Sequence, residues 1–376
     1  MRPRAYYEAI ATLTGCIIGA GVLGIPYMVV RSGFWTGMLM IVVLGLASLL
    51  VHLLVGEVAL RTKACHQLVG LAEKYLGKHG KFGMLASMIV GVYGALIAYT
   101  IGVGRSLAVI VGGPEWAWSV AFYVVMSALV FGSILVLARS ELFLESVKFL
   151  VLFAVLLVLF LSRHFDVAKL SGFSWQNFLV PYGVILFAYL GTAAIPEVRE
   201  EMRVCPRFTR RAIVIGSLLP VLAYALFTAA VVGVSGAYTS EVATIVLGQM
   251  VGPFGFLMLH VFAILAMATS FIALGYALKQ SYHEDFHLPV VESWALVVVV
   301  PAVLMVLGAQ SFVRTLDVAG TFAGGIAGIL IVLMHARAKK FGEREPEYRL
   351  TLPKAAYGLL IVLFAVGMLY QVVLLL

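Results

Sequence analysis

The chain has 376 residues, of which 62% are hydrophobic and only 12% are charged, with a formal net charge of +8. A soluble domain carries about 25% charged residues, so this composition argues against a soluble enzyme and places the chain in a lipid bilayer. Blocks without any charge, such as residues 212–240, exceed the roughly 20 residues that span hydrocarbon. The sequence therefore predicts an all-α polytopic membrane protein.

Polar interruptions divide the chain into eleven predicted transmembrane helices. No linker or shift in composition marks a second domain, so residues 1–376 are predicted to form a single membrane transport domain. The predicted spans are residues 6–31, 34–60, 82–111, 116–138, 140–162, 177–198, 211–234, 252–279, 290–308, 312–335 and 354–375. The polar connections 61–81 and 336–353 are candidates for short surface helices.

The basic residues are distributed unevenly between the two sides of these spans. With the N-terminus in the cytoplasm, twenty lysines and arginines lie in inner segments and three lie in outer segments. The positive-inside rule then predicts a cytoplasmic N-terminus and, with eleven spans, an extracellular C-terminus in the plasma membrane. The net positive charge is thus explained by topology and indicates no nucleic-acid partner.

The first span contains the run TGCIIGAGVLGIPYMVV, in which Gly19, Gly21 and Gly24 match the dinucleotide-binding pattern G-x-G-x-x-G. That fold requires a preceding strand and an acidic residue about 20 positions later. No Asp or Glu occurs between Glu8 and Glu57, and the run continues into a second apolar span. The dinucleotide interpretation is therefore excluded by its context.

The same glycines favour an interrupted helix. Each glycine disfavours a helix by about 1 kcal/mol, and Pro26 lacks a backbone donor. A second half-helix beginning near Gly24–Pro26 directs free N–H groups and a positive dipole end into the protein, where a carboxylate can bind. A simple packing kink is the alternative from this segment alone.

The sixth span repeats the pattern in FAYLGTAAIPEVREEM, where small residues follow Gly191 and precede Ile195-Pro196. Two interrupted apolar segments, five spans apart, are typical of transporters with an inverted repeat, in which the substrate binds where the broken helices cross. The pair favours a transport site over a kink.

The runs GCIIGAGVLGIPYMV, FAYLGTAAIPEVREEM and LAMATSFIALGYALK resemble the amino acid–polyamine–organocation superfamily, especially its amino acid/auxin and hydroxy/aromatic amino acid permease branches. The resemblance covers nearly the whole chain. It implies a LeuT-like fold in which helices 1 and 6 are broken. A five-plus-five inverted repeat is formed by residues 6–162 and 177–335, and the helix at 354–375 is peripheral.

The resemblance also implies a substrate site made largely of backbone groups. The substrate carboxylate is expected on the amides of Gly19, Ala20 and Gly21, and its ammonium on the carbonyls of Ile17, Phe187 and Leu190. The wall that selects the substrate side chain is expected to include Tyr189, Thr192, and Tyr93 or Tyr99.

The sequence offers candidate sites for two coupling ions, a proton and a sodium ion. Lys148 lies about nine residues inside its span, and an intramembrane lysine is a functional candidate that can carry a proton; it resembles the lysine of proton-coupled members. The alternative is a lysine that extends to the inner membrane surface or forms an ion pair with Glu145 or Glu141. The rival sodium site implied by the resemblance comprises Gly15, Ile18, Ala266, Thr269 and Ser270. A charged lysine and a bound sodium ion repel each other, so protons are favoured.

The predicted function is proton-coupled symport of a neutral or aromatic amino acid by alternating access, and sodium-coupled symport is the alternative. No organic cofactor is expected, nor any metal apart from a possible sodium ion. A channel is disfavoured because the chain carries its own internal two-fold repeat. An intramembrane serine protease is disfavoured because Ser235 of GVSG ends a span rather than beginning a helix. No enzymatic activity is therefore expected, and the partners are an amino acid and the lipid bilayer.

Overall fold

The computed structural model describes residues 4–132 and 135–376, with the side chains of residues 135–146 and Asp285 outside that description. The described chain is α-helical with short 3-10 turns and contains no strand. The helices are α1 Arg4–Ile17, α2 Ile25–Ser32, α3 Phe34–Leu60, α4 Leu68–Val111, α5 Glu115–Phe131, α6 Leu135–Phe160, α7 Tyr182–Ala188, α8 Ile195–Glu201, α9 Thr209–Ser235, α10 Thr244–Met250, α11 Gly252–Phe286, α12 Val290–Val306, α13 Phe312–Phe341 and α14 Lys354–Leu375.

Six of the described helices are long and apolar enough to cross a membrane, namely α3, α4, α9, α11, α13 and α14. The α1 segment and the segment Ala20–Ser32 form a seventh candidate span that is bent by 47°. Helices α5, α12 and the part Val147–Phe160 of α6 are apolar but shorter. The predicted all-helical membrane architecture is confirmed, while the count of eleven spans and the inverted repeat stay predictions.

Several predicted boundaries agree closely with the structure, and one is wrong. Helices α3 and α14 coincide with the predicted spans 34–60 and 354–375. The predicted boundary near residue 139 is displaced, because α5 already ends at Phe131 and α6 begins at Leu135. Gly132 adopts an extended conformation with ψ of 176° and ends the helix. The apolar residues run continuously through this point, so no polar signal marks the turn.

Helix α4 contains a sharp bend at Gly77, whose φ of 73° lies in the region that favours glycine. The bend separates a short segment, residues 68–76, from the long apolar part that begins near residue 82. A helix therefore lies within the connection 61–81, as predicted. The other predicted surface helix is not formed, because α13 continues to Phe341 and residues 342–353 are not helical.

Helices α13 and α9 organise the packing around the centre. Helix α13 lies along α4 and α7, and α9 lies along α1 and α3. Small residues permit this close approach, since a Cβ at Gly94 would overlap the Ala319 methyl group and one at Gly320 would overlap the Gly183 carbonyl. The two short half-helices α7 and α8 are therefore held by long neighbours.

One end of the bundle gathers residues 61–67, 199–211 and 342–353, and we call this end the basic face. The buried Arg199 of α8 donates to the carbonyls of Thr62 at 2.6 Å and Ala64 at 3.1 Å, just beyond the end of α3. The fully buried Glu57 lies 3.0 Å from His335 of α13 and accepts from the Leu350 amide at 2.7 Å. These contacts fix the segment before α14 beneath α3.

Candidate functional site

The first helix break lies between α1 and α2. Helix α1 ends at Ile17, Gly19 is extended, and a 3-10 turn at Ala20–Leu23 leads into α2, which has Pro26 in its first turn. The first amides of a helical turn have no partner within it, and no side chain of the described residues caps this one. The amide of Gly19, one of the three predicted carboxylate ligands, donates to the Ile17 carbonyl at 2.8 Å. The amides of Ala20 and Gly21 begin the 3-10 turn, and binding of a carboxylate there stays a prediction.

The second break lies between α7 and α8. Helix α7 ends at Ala188, a 3-10 turn occupies Thr192–Ala194, and α8 begins with Pro196 in its first turn. The Leu190 amide donates to the Phe187 carbonyl at 3.1 Å, which closes one tight turn after the helix. Both breaks thus use the same local chemistry, a glycine-containing interruption followed by Ile-Pro.

The two breaks contact each other directly. A Cβ added at Gly21 would lie 2.9 Å from the Ala188 Cα and 3.3 Å from the Phe187 ring. A Cβ added at Gly191 would overlap the Ile17 side chain. Glycine is needed at these two positions because the backbones cross with no room for a side chain. The amides of the first break and the end of α7 therefore lie within one small volume.

Tyr224 of α9 joins the two breaks through a single hydroxyl group. Its Oη lies 2.6 Å from the Ile17 carbonyl and 2.8 Å from the Ala188 carbonyl, and the residue is fully buried. The two carbonyl oxygens share the single hydroxyl proton, and the Ile17 carbonyl also accepts from the Gly19 amide at 2.8 Å. Tyr224 is not among the residues predicted from the sequence, and the signal that could have revealed it is a polar tyrosine in the middle of the apolar span 211–234.

The two candidate tyrosines of α4 occupy different places. A Cβ at Gly19 would lie 3.2 Å from the Ser270 hydroxyl and 3.9 Å from the Tyr99 hydroxyl, so Tyr99 reaches the first break. The Tyr93 hydroxyl instead bonds to Tyr282 at 3.0 Å and to the Leu296 carbonyl at 2.9 Å. Tyr93 is thereby engaged with α11 and α12, and Tyr99 is the member of the pair beside the glycines.

The two candidate wall residues after α7 face α3. Tyr189 donates to the Ile41 carbonyl at 3.1 Å, and its ring lies 5.2 Å from that of Tyr224. Thr192 and Tyr189 line a narrow cavity with His52, on the side of α3 and α13. Tyr189 packs against Tyr224, which contacts both breaks. Thr192 lines the cavity instead.

Lys148 lies against the end of α1. Its side chain is only 4% exposed, and Nζ donates to the Gly15 carbonyl at 3.2 Å. Gly15 belongs to the predicted sodium ligands, so the ammonium contacts one oxygen of that set. The alternative partners Glu141 and Glu145 lie outside the described side chains.

Of the remaining predicted sodium ligands, Ser270 of α11 reaches the first break. The Thr269 hydroxyl donates to the Leu265 carbonyl at 2.9 Å within its own helix, whereas the Ser270 hydroxyl points to Gly19. Ala266 and Ile18 are buried. The assembly of these oxygen atoms into one sodium site stays a prediction.

The site differs in accessibility on its two sides. Beyond the first break, the Ala243 amide donates to the Leu23 carbonyl at 3.1 Å, and Glu241 accepts from Arg105 at 2.6 Å. These contacts cover the end that carries α2. Cys16 and Ala193, on the α1 and α8 side of the breaks, are exposed. The α2 side of the breaks is therefore covered by these contacts, whereas residues on the α1 and α8 side are exposed.

Comparison with known proteins agrees with this geometry. The chain matches the tryptophan/tyrosine permease family over residues 4–373. It is 23% identical to glutamine transporter 2 of Aliivibrio fischeri, an alignment that covers 92% of each chain. It is 28% identical to tyrosine-specific transport system 1 of Haemophilus influenzae over 57% of this chain and 54% of that protein.

A solved structure resembles the chain over its whole length. The crystal structure of MhsT in complex with L-phenylalanine superposes with a TM-score of 0.69 at 15% identity and covers 99% of this chain and 97% of that one. This similarity establishes the fold alone. The family match over nearly all residues confirms the membership predicted from the paired Ile-Pro breaks. The chain belongs to the tryptophan/tyrosine permease family and is an amino acid permease built as a multi-pass helical membrane protein.

Proposed function

We propose that this permease is a secondary active transporter of neutral or aromatic amino acids that couples uptake to protons by alternating access. It resides in the plasma membrane with its N-terminus in the cytoplasm and its C-terminus outside. The observation that carries the proposal is the direct contact of the two helix breaks, with the first amides of a helical turn on one and the last carbonyls of α7 on the other. Such a pair complements the two charges that every α-amino acid shares.

The substrate carboxylate binds the amides of Ala20 and Gly21, and the ammonium binds carbonyls at the end of α7. The Tyr224 hydroxyl already contacts the Ile17 and Ala188 carbonyls. The Ile17 carbonyl also accepts from the Gly19 amide at 2.8 Å, so both of its lone pairs are in use. The Phe187 and Leu190 carbonyls are then the principal acceptors for the ammonium. Backbone recognition explains how one site accepts several amino acids.

The side-chain pocket suits an uncharged substrate. Tyr99, Phe187 and Ser270 surround the first break, and none of the described side chains that we place there is acidic. Relatives are named for glutamine and tyrosine, and the similar solved structure holds L-phenylalanine. An aromatic substrate can stack on the Phe187 and Tyr99 rings, which favours tyrosine, tryptophan and phenylalanine.

The position of Lys148 supports proton coupling. A charged ammonium holds the end of α1 through the Gly15 carbonyl. Loss of the proton removes the charge that attracts this carbonyl, so α1 is released and the balance between the open and closed states shifts. Sodium coupling is the rival mechanism, and the approach of Ser270 to Gly19 favours it.

Uptake into proteoliposomes decides between the two ions. Labelled tyrosine, tryptophan, phenylalanine and glutamine are offered with an inward pH gradient in sodium-free buffer, and then with a sodium gradient at equal pH. The proposal expects accumulation driven by the pH gradient, its loss in Lys148→Gln, and retained exchange of internal for external substrate. Lys78→Gln, an exposed lysine of α4, is the matched control.

Uptake driven by sodium alone would replace the proton mechanism with the sodium one. Flux that never saturates and shows no counterflow would instead indicate a channel.

A further inference from the structure

We propose that the basic face carries a binding site for a phospholipid with an anionic headgroup, at the seam between α1 and the beginning of α9. A cavity of about 270 Å³ lies there, lined by Tyr6, Arg210, Arg211, Val214 and Ile215. Its volume is close to the lower end of the about 300–1,000 Å³ found for small-molecule sites. The cavity lies at the cluster of arginines, far along α9 from Tyr224 and the helix breaks.

The charge of the cavity is unbalanced. Arg207, Arg210 and Arg211 are exposed, and none of the three forms an ion pair among the described residues. Elsewhere on the same face, Arg61, Arg203, Arg344 and Arg349 each pair with a glutamate. Three adjacent guanidinium groups without a carboxylate attract an anion, and a phosphate accepts bidentate hydrogen bonds from arginine.

The guanidinium groups are held in place by aromatic rings. Arg207 lies over the Phe208 ring at 5.1 Å and Arg211 lies over the same ring at 6.0 Å. Phe208 in turn packs edge-on against the fully buried Tyr6 of α1, with ring centroids 6.0 Å apart. This stacking orients the charges before a ligand arrives and lowers the conformational entropy lost on binding.

The surface beyond the cavity identifies the ligand as a lipid rather than a free phosphate. Val214 and Ile215, which line the cavity, are half-buried, and the next turns of α9 expose Leu218, Leu219 and Leu222 by 40%, 43% and 57%. Positions 211, 215, 218, 219 and 222 share one face of a helix. When the headgroup binds the arginines, the acyl chains of the same lipid can therefore lie along this continuous apolar stripe. Basic pockets at the membrane surface bind the headgroups of anionic lipids in general.

A lipid seated here contacts both α1 and α9. Because α1 supplies the carbonyls of Gly15 and Ile17 to the central site, the lipid holds the same half-helix that Lys148 and Tyr224 hold. The headgroup thus stabilises α1 against α9 from the membrane surface.

The experiment titrates the purified full-length protein in a neutral detergent and follows binding by native mass spectrometry. The three probes are dioctanoyl phosphatidylglycerol, dioctanoyl phosphatidylcholine and glycerol 3-phosphate. We expect phosphatidylglycerol to bind roughly tenfold or more tightly than the other two. The double variant Arg210→Gln/Arg211→Gln is expected to lose this preference, while Lys78→Gln/Lys340→Gln, which removes two exposed charges from other helices, keeps it.

Three outcomes would overturn the proposal. Equal affinity for the two lipids removes the role of charge, and equal affinity for glycerol 3-phosphate and phosphatidylglycerol indicates a site for soluble phosphates. An equal loss in the control variant indicates a diffuse surface potential. Both substituted arginines are exposed, and a thermal-unfolding midpoint without lipid that matches the parent shows that the variant is folded.

Discussion

Tyr224→Phe tests the link between the two helix breaks. The substitution keeps the ring, which lies 5.2 Å from the Tyr189 ring, and removes only the hydroxyl that contacts the Ile17 and Ala188 carbonyls at 2.6 and 2.8 Å. A buried polar group left without a partner costs about 1–3 kcal/mol. We therefore expect the protein to be less stable and the half-helices to be less ordered at the substrate site.

In the variant, the bound substrate must itself order the two half-helices, and the free energy that this ordering costs sets the expected rise in KM. About 1.4 kcal/mol corresponds to a tenfold change in affinity, so the KM for the transported amino acid is expected to rise about tenfold. The backbone carbonyls at the breaks bind the substrate ammonium, whereas the substrate carboxylate binds backbone amides, so a shift of the carbonyls weakens only the binding of the ammonium. Competition assays with tyrosine and with its analogue 3-(4-hydroxyphenyl)propionate separate these two groups, and only the affinity for tyrosine is expected to fall.

Tyr123→Phe is the matched control. The Tyr123 hydroxyl also donates to a backbone carbonyl, that of Val298, but this part-buried hydrogen bond lies between α5 and α12. It is expected to lower the unfolding midpoint without changing the KM. If Tyr224→Phe leaves the KM unchanged, tightens binding, or weakens the amino acid and its analogue equally, Tyr224 does not position the ammonium-binding carbonyls.

Three further predictions follow from the same geometry. Gly21→Ala is expected to abolish uptake while the protein still inserts in the membrane, because the new methyl group meets the Ala188 Cα at 2.9 Å; uptake within twofold of the parent, roughly, contradicts the close crossing of the breaks. Cys16 is exposed beside the break. In a variant whose other two cysteines are replaced by serine, a thiol reagent applied at the basic face is expected to label Cys16, and bound substrate is expected to slow this labelling. Labelling that substrate does not affect contradicts a place for Cys16 on the substrate path. Glu57→Gln is expected to lower the stability by about 3 kcal/mol, because it removes the buried carboxylate charge that pairs with Arg61 at 2.8 Å and lies 3.0 Å from His335; an unchanged thermal-unfolding midpoint in detergent shows that this charge contributes nothing.

The local features of the chain were predictable from its sequence. The charge-free blocks predicted α3 and α14 to the residue, because the length of an apolar run and the polar residues beside it are local quantities. The glycines and Pro26 predicted the break after Ile17, because helix propensity and the missing donor of proline act on the segment itself. Gly132 was missed since its apolar neighbours give no polar signal.

The composition of the centre was decided by tertiary packing. The pairing of Tyr224 with Ile17 joins residues 207 positions apart, and that of Lys148 with Gly15 joins residues 133 positions apart. Periodicity and propensity describe one helix at a time, so they cannot show which of two tyrosines on α4 reaches the glycines. Packing of α4 against α11 and α13 placed Tyr99 there and turned Tyr93 towards Tyr282. The sequence by itself determined that two helices break, and only the packed bundle determined which side chains meet at the breaks.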